Sequence, residues 1–229
     1  MSSSVTRSGP LALVGGAEWR EGCRFDAELL KASGGEEVLV LPTAAAYEHP
    51  ERSVATATSW FEGLGAKVRP LMVLRRPDAE DPANAAAVAD ARFIYLGGGS
   101  PLHLRSVLKD SAVWAALVAA WRNGAVVAGS SAGAMVLTDP MVDPRGGAYT
   151  VGLGLVSQVA VIPHADTWSP EKAHRTIALA PKGIPIVAVD EQTAIVRHFG
   201  TETGWTAAGT GSVKVFLNGQ ESTLESLPG

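Results

Sequence analysis

Four short runs of this chain are apolar almost throughout: Leu11–Val14, Glu37–Leu41, Arg92–Leu96 and Ala125–Ala128. A strand with one wet face alternates apolar and polar side chains, so a strand that is apolar at successive positions must be covered on both faces. Segments of helical pattern separate these runs, near residues 22–32, 51–63, 82–89, 111–122 and 170–179. The clearest helix is the fourth: Asp110 or Ser111 supplies a cap, Trp114, Leu117, Val118 and Trp121 share one face, and Asn123-Gly124 ends it. Further strands are expected at Lys67–Val73, Gln158–Ile162, Pro185–Val189, Thr193–Arg197 and Ser212–Leu217, with Pro70 arguing against a central place for the first. The fold class that follows is α/β, a mostly parallel sheet with helices on both faces.

No repeat, low-complexity tract or linker divides the 229 residues, which read as one domain over 1–229 with residues 1–9 a flexible tail. The 19 basic and 23 acidic residues are scattered, and Arg75-Arg76 is the densest basic spot, so no nucleic-acid partner is expected. Mean hydropathy is +0.14. Even so, the longest apolar run, around Ala112–Ala120, falls short of the roughly 18 residues a membrane span needs, and no membrane partner is expected. A single cysteine, Cys23, excludes an internal disulfide and a cysteine metal cage. Together with a first apolar run too short for a secretory leader, it points to the cytoplasm. There is no His-Glu-x-x-His helix and no clustered Asp/His set, so no metal and no other cofactor is expected. A homodimer is the assembly considered.

The chemistry concentrates at Gly129-Ser130-Ser131-Ala132-Gly133, between an apolar strand and the helical run Ala134–Leu137. This is the strand–turn–helix setting of a Gly-x-Ser-x-Gly elbow, in which glycines permit a tight turn and Ser131 is exposed in strained backbone geometry. The N–H of Ala132 would then face a developing oxyanion. One strand-helix unit earlier, Gly97-Gly98-Gly99-Ser100-Pro101 also follows a strand, and Gly98 or Gly99 is the expected source of a second oxyanion donor. Of the five histidines, His164 follows the apolar strand Val159–Ile162 and suits a general base. His103 sits close enough to the glycine loop to line a pocket, and His174 belongs to a solvated helix face. The orienting carboxylate is open between Glu191, after strand Ile186–Val189, and Asp166, two residues from the base; Asp139 and Asp143 lie in the loop that follows the nucleophile helix.

These landmarks resemble the aspartyl dipeptidases and cyanophycinases, serine peptidases with a fold similar to class I glutamine amidotransferases. Four segments carry the resemblance: Leu13-Val14-Gly15-Gly16-Ala17-Glu18, the Gly97–Gly99 loop, Gly129–Ala134, and Val189-Asp190-Glu191-Gln192-Thr193-Ala194; Pro163-His164 stands where the family's histidine is expected. The resemblance runs in order over residues 11–217 and implies a three-layer sandwich and a Ser-His-Glu triad of Ser131, His164 and Glu191 acting on short peptides. Cyanophycinases typically carry Asp-Gln after the glycines, where this chain has Ser100-Pro101, so Ser100 and Pro101, with Asp166, are the expected substrate-binding residues. His164-x-Asp166 also imitates the His-x-Glu of glutamine amidotransferases. Two other readings stand beside this one: an α/β-hydrolase-type esterase using Ser131, Asp166 and His198, and a ligand-binding relative without turnover.

Overall fold

The computed structural model describes residues 8–198 and 204–229. In chain order its elements are β1 (Leu11–Val14), α1 (Phe25–Ser33), β2 (Glu37–Leu41), α2 (Pro50–Gly63), β3 (Lys67–Pro70), α3 (Arg76–Glu80), α4 (Pro82–Ala89), β4 (Phe93–Leu96), α5 (Pro101–Leu108), α6 (Ala112–Arg122), β5 (Val126–Ser130) and α7 (Ala132–Leu137). The short strands β6 (Thr138–Asp139), β7 (Met141–Val142), β8 (Tyr149–Thr150) and β9 (Val156–Ser157) follow. The chain then forms β10 (Ala160–Ile162), α8 (Pro170–Ala178), β11 (Ile186–Val189), β12 (Thr193–His198), β13 (Gly204–Gly209), β14 (Val213–Leu217) and β15 (Gln220–Ser222).

The main sheet has the order β13-β12-β1-β5-β4-β2-β3. Strands β1, β5, β4, β2 and β3 are mutually parallel; β12 pairs antiparallel with β1, and β13 pairs antiparallel with β12 at the edge. The expected mostly parallel sheet is therefore present, and β3 lies at its outer edge, where the missing N–H of Pro70 costs no ladder bond. Successive residues of the central strands serve opposite layers. Ala12, Val14, Val38, Val40, Phe93, Tyr95, Val126 and Ala128 pack with Phe25 and Leu29 of α1 and Phe61 of α2. Their neighbours Leu11, Leu13, Leu39, Leu41, Ile94, Leu96 and Val127 pack with Leu104 of α5, Leu117 of α6 and Leu137 of α7. Residues such as Leu13 and Ile94 are fully buried, each stabilising the fold by about 1.5–3 kcal/mol relative to exposure.

A second sheet, β10-β11-β14-β15, has β10 parallel to β11 and the other pairs antiparallel. From the end of β11 the chain crosses directly into β12 of the main sheet, which brings the carboxyl ends of β10 and β11 beside that of β1. The segment after α7 forms two small ladders, β6 with β9 and β7 with β8. Tyr149 Oη donates to Thr176 O at 2.7 Å and ties the segment to α8. Among the described residues no helix is long and apolar enough to cross a membrane.

Two expectations need correction here. The tail over residues 1–9 ends too late: Gly9 donates to Trp121 O at 2.8 Å, and a methyl group on it would lie 1.9 Å from Ala125 O, so this glycine is packed into the domain, while residues 1–7 lie outside the described part. The set of expected helices is also incomplete, because Ser100-Pro101 opens helix α5, which lies between two of them.

Candidate active site

The elbow is built by steric exclusion. A methyl group on Gly129 would lie 2.6 Å from the carbonyl carbon of Gly133, and one on Gly133 would lie 2.4 Å from Leu96 O. Neither contact is sterically allowed, so only glycine fits at both positions. Between them Ser131 takes φ 49° and ψ −107°, a left-handed conformation that costs a residue with a Cβ about 1–3 kcal/mol. Its N–H donates to Val14 O at 2.9 Å, anchoring the turn to the end of β1. Ser130 is fully buried.

Three side chains converge at the carboxyl ends of β5, β10 and β11. His164 Nε2 lies 2.8 Å from Ser131 Oγ, and His164 Nδ1 lies 2.7 Å from Glu191 Oε1. With the Nδ1 proton held by a carboxylate, the Nε2 lone pair faces the serine hydroxyl, an arrangement competent to accept its proton. The His164 and Glu191 side chains are 31% and 33% exposed, so the site is open to a solute. The geometry also separates the two carboxylates left open in the sequence. Asp166 Oδ1 accepts the backbone N–H of Glu191 at 3.1 Å and so steadies the turn that carries the carboxylate beside the imidazole.

The backbone behind these groups rests on one short segment. Val14 O accepts from Ser131 N at 2.9 Å, Gly15 O from His164 N at 2.6 Å, and Gly16 O from Gln192 N at 2.8 Å. His164 and Gln192 both have positive φ, 51° and 52°, imposed by these connections. Gly16, at φ 128°, lies directly under the imidazole, and a methyl group on it would sit 2.2 Å from His164 Cε1. Gly16→Ala is therefore expected to push the ring off Ser131 and lower kcat/KM at least about a hundredfold, since a displacement of about 1 Å suffices for that. Labelling of Ser131 by a fluorophosphonate and turnover, each measured beside a thermal melt, check this, and parent-like reactivity in a folded variant would contradict it.

The oxyanion expectation is refined. Ala132 is the first residue of α7, and its N–H has no intrahelical acceptor. Gly98, named as one source of the second donor, is already engaged: its N–H donates to Glu18 Oε1 at 2.8 Å. Gly99 is exposed, with φ 133°, and its N–H meets no acceptor among the described residues. A methyl group there would clash with Ala44 O at 2.4 Å, so the loop passes too close to its neighbour for any side chain.

Other expected residues turn out to have structural tasks. Ser100, half-buried, caps α5, its Oγ accepting from His103 N at 3.3 Å, and Pro101 is buried at the first helical position, where its side chain is turned away from solvent. His198 ends β12, which runs antiparallel to β1 with Arg197 opposite Leu11, and so emerges at the other end of the sheet from Ser131; the Ser131, Asp166 and His198 arrangement is excluded. His103 Nε2 lies 2.9 Å from Leu74 O, with the ring edge-on to the exposed Tyr47. His174 is exposed on α8 as expected. Asp139 accepts from Gly152 N, and Asp143 pairs with Arg145, whose hydrogen bond brings the carboxyl down to about 2. Among the described residues no group of three or more His, Cys, Asp or Glu side chains could hold a metal ion. Sequence reasoning missed Glu18 at the site: the Gly-Gly-Ala-Glu run was noted as a landmark, but its partners lie far away along the chain.

The pattern of peptidase family S51 matches residues 11–202. A cyanophycinase from Trichormus variabilis is 30% identical over 168 residues, and one from Synechococcus elongatus is 26% identical over a stretch of the same length. Each alignment takes in 68% of this chain but only 55% and 52% of those proteins, so the chain spans about half the length of the curated relatives it matches. The crystal structure of a peptidase from an acI-B1 Actinobacterium superposes with a TM-score of 0.84 at 30% identity, covering 95% of this chain and 94% of that one. A putative peptidase E protein from Listeria monocytogenes EGD-e shares the fold, with a TM-score of 0.67 at 20% identity, covering 89% of this chain and 100% of that one.

Proposed function

This chain belongs to peptidase family S51, and from that membership we propose that it is a serine peptidase hydrolysing short peptides or dipeptides through an acyl-enzyme on Ser131. The observation that carries the reading is the unbroken line of hydrogen bonds from Ser131 Oγ through the His164 ring to Glu191 Oε1, at 2.8 and 2.7 Å. In the proposed cycle Ser131 Oγ attacks the scissile carbonyl while His164 Nε2 takes its proton. Glu191 stabilises the imidazolium and holds its orientation. The N–H groups of Ala132 and Gly99 receive the negative charge of the tetrahedral intermediate. His164 then protonates the departing amine, and a water molecule, deprotonated by the same nitrogen, releases the acyl group.

Short substrates are favoured because the glycine loop and the elbow run straight into α5 and α7, and the one longer segment is tied down against α8. Cyanophycin itself is not proposed as the substrate. Ser100-Pro101 replaces the Asp-Gln typical of cyanophycinases, and both residues are committed to starting a helix.

A fluorophosphonate probe is expected to leave one covalent adduct, on the peptide containing Ser131, and a panel of dipeptides and isoaspartyl dipeptides is expected to contain a substrate. Absence of both adduct and turnover would return the protein to the ligand-binding reading. Cleavage of casein in mid-chain would remove the restriction to short substrates.

A further inference from the structure

Glu18 leaves the end of β1 and reaches past the end of β5 to the loop after β4. Its Oε2 accepts from Ser130 Oγ at 2.8 Å and its Oε1 accepts from Gly98 N at 2.8 Å, so one carboxylate ties together the residue before the nucleophile and the glycine loop. The packing is close. A methyl group on Gly98 would lie 3.1 Å from Glu18 Oε1 and 3.4 Å from Ser131 Cβ. The segment that carries Glu18 is itself rigidly placed. Ala17 and Trp19 have φ of 49° and 60°. Trp19 is 5% exposed, its ring centroid lies 5.2 Å from that of Tyr95, and its Cη2 would touch a methyl group on Gly97 at 3.4 Å.

We propose that Glu18 is a positioning residue that fixes the glycine loop so that the Gly99 N–H faces the same point as the Ala132 N–H. Backbone bonds pin the two ends of the loop, Gly97 N–H to Leu41 O at 3.2 Å and Ser100 N–H to Ala44 O at 2.8 Å, but between them the glycine peptides have no side chain to fix their orientation. A donor stabilises a developing oxyanion only if it is aimed before the charge appears, and a loop that must reorganise during the reaction forfeits part of that stabilisation. The carboxylate holds the Gly98 N–H, whereas the Gly99 N–H meets no acceptor among the described residues and Gly99 is exposed. Ser130 is the second anchor. Its buried hydroxyl holds the far oxygen of Glu18 and stops the carboxylate turning away.

The inference rests on the serine-peptidase reading above, and its test distinguishes failure of one from failure of the other. Steady-state kinetics on a short peptide substrate are compared for the parent, Glu18→Ala, Glu18→Asp, Glu18→Gln, Ser130→Ala and Ser131→Ala. Losing a whole oxyanion donor costs about 10²–10³ in kcat, and loosening one should cost less, so Glu18→Ala is expected to lower kcat by about 10- to 100-fold with KM within about threefold. Binding of a peptide boronate, which forms a tetrahedral adduct on the serine, should weaken by the same factor as kcat. Glu18→Gln, whose amide oxygen can still accept from Gly98 N–H, should recover most of the rate, and Ser130→Ala should fall between parent and Glu18→Ala. Should Glu18→Ala fail to fold, Glu18→Asp serves in its place, its carboxylate one methylene short of both donors. A kcat within twofold of parent in the folded variant, or a loss expressed only in KM as expected for a carboxylate that binds a cationic group of the substrate, overturns the proposal. Retained turnover in Ser131→Ala overturns the serine-peptidase reading and this inference with it.

Discussion

Ser131→Ala is expected to reduce peptide turnover by several orders of magnitude, up to about 10⁶-fold as found when a triad nucleophile is removed, while leaving the fold in place. Among the described residues the hydroxyl makes one hydrogen bond, with His164 Nε2, in a site open to water, so its removal leaves no buried partner unsatisfied. The left-handed turn is retained because its anchor is the backbone bond to Val14 O, which alanine keeps. The comparison that gives the result its meaning is Ser130→Ala. That hydroxyl is buried on Glu18, and its loss should cost far less. If Ser130→Ala were the silent enzyme and Ser131→Ala the active one, the elbow has been assigned to the wrong serine.

The second large effect is expected at Glu191. Glu191→Gln keeps the size of the side chain but removes the charge that stabilises the imidazolium and allows the amide to face His164 Nδ1 with either its oxygen or its nitrogen. A fall in kcat of at least about 100-fold and up to about 10⁴-fold is expected, with little change in KM. Asp166→Asn, in contrast, retains an oxygen that can accept the Glu191 N–H, so the turn survives and the rate should stay within about tenfold of parent, a loss of at most one hydrogen bond to a charged acceptor. Assaying the two variants side by side decides the matter. Near-normal turnover in Glu191→Gln with collapse in Asp166→Asn would transfer the orienting role to Asp166.

Much of this was legible in the amino-acid sequence because it depends on local pattern. The runs Leu11–Val14, Glu37–Leu41 and Phe93–Leu96 are apolar on both faces, and such runs have few homes other than a doubly covered sheet. The elbow was legible because steric exclusion at Gly129 and Gly133 acts over a few residues. Strand β13 was not, since Trp205 is its only large apolar residue and its neighbours are small or polar. That His198 lies away from Ser131 was hidden for a similar reason: a strand's composition does not reveal its direction, and β12 runs against its neighbour β1. Glu18 was hidden for another reason. Its two partners lie 112 and 80 positions away, and only the assembled sheet brings them to one carboxylate. The capping task of Ser100 was hidden because a cap and a ligand-binding hydroxyl look alike until the helix behind the serine is seen.

The run of carbonyls at Val14, Gly15 and Gly16 has a consequence for how the site tolerates motion. Ser131, His164 and the turn bearing Glu191 are contributed by two different sheets, and one would expect any breathing between those sheets to blur the distances among them. Each is instead hung from consecutive peptide units of a single turn. The three anchors therefore share one short stretch of backbone, and a displacement of that stretch displaces all three attachment points together. The hydrogen-bonded line from serine to carboxylate is thus referred to one common datum.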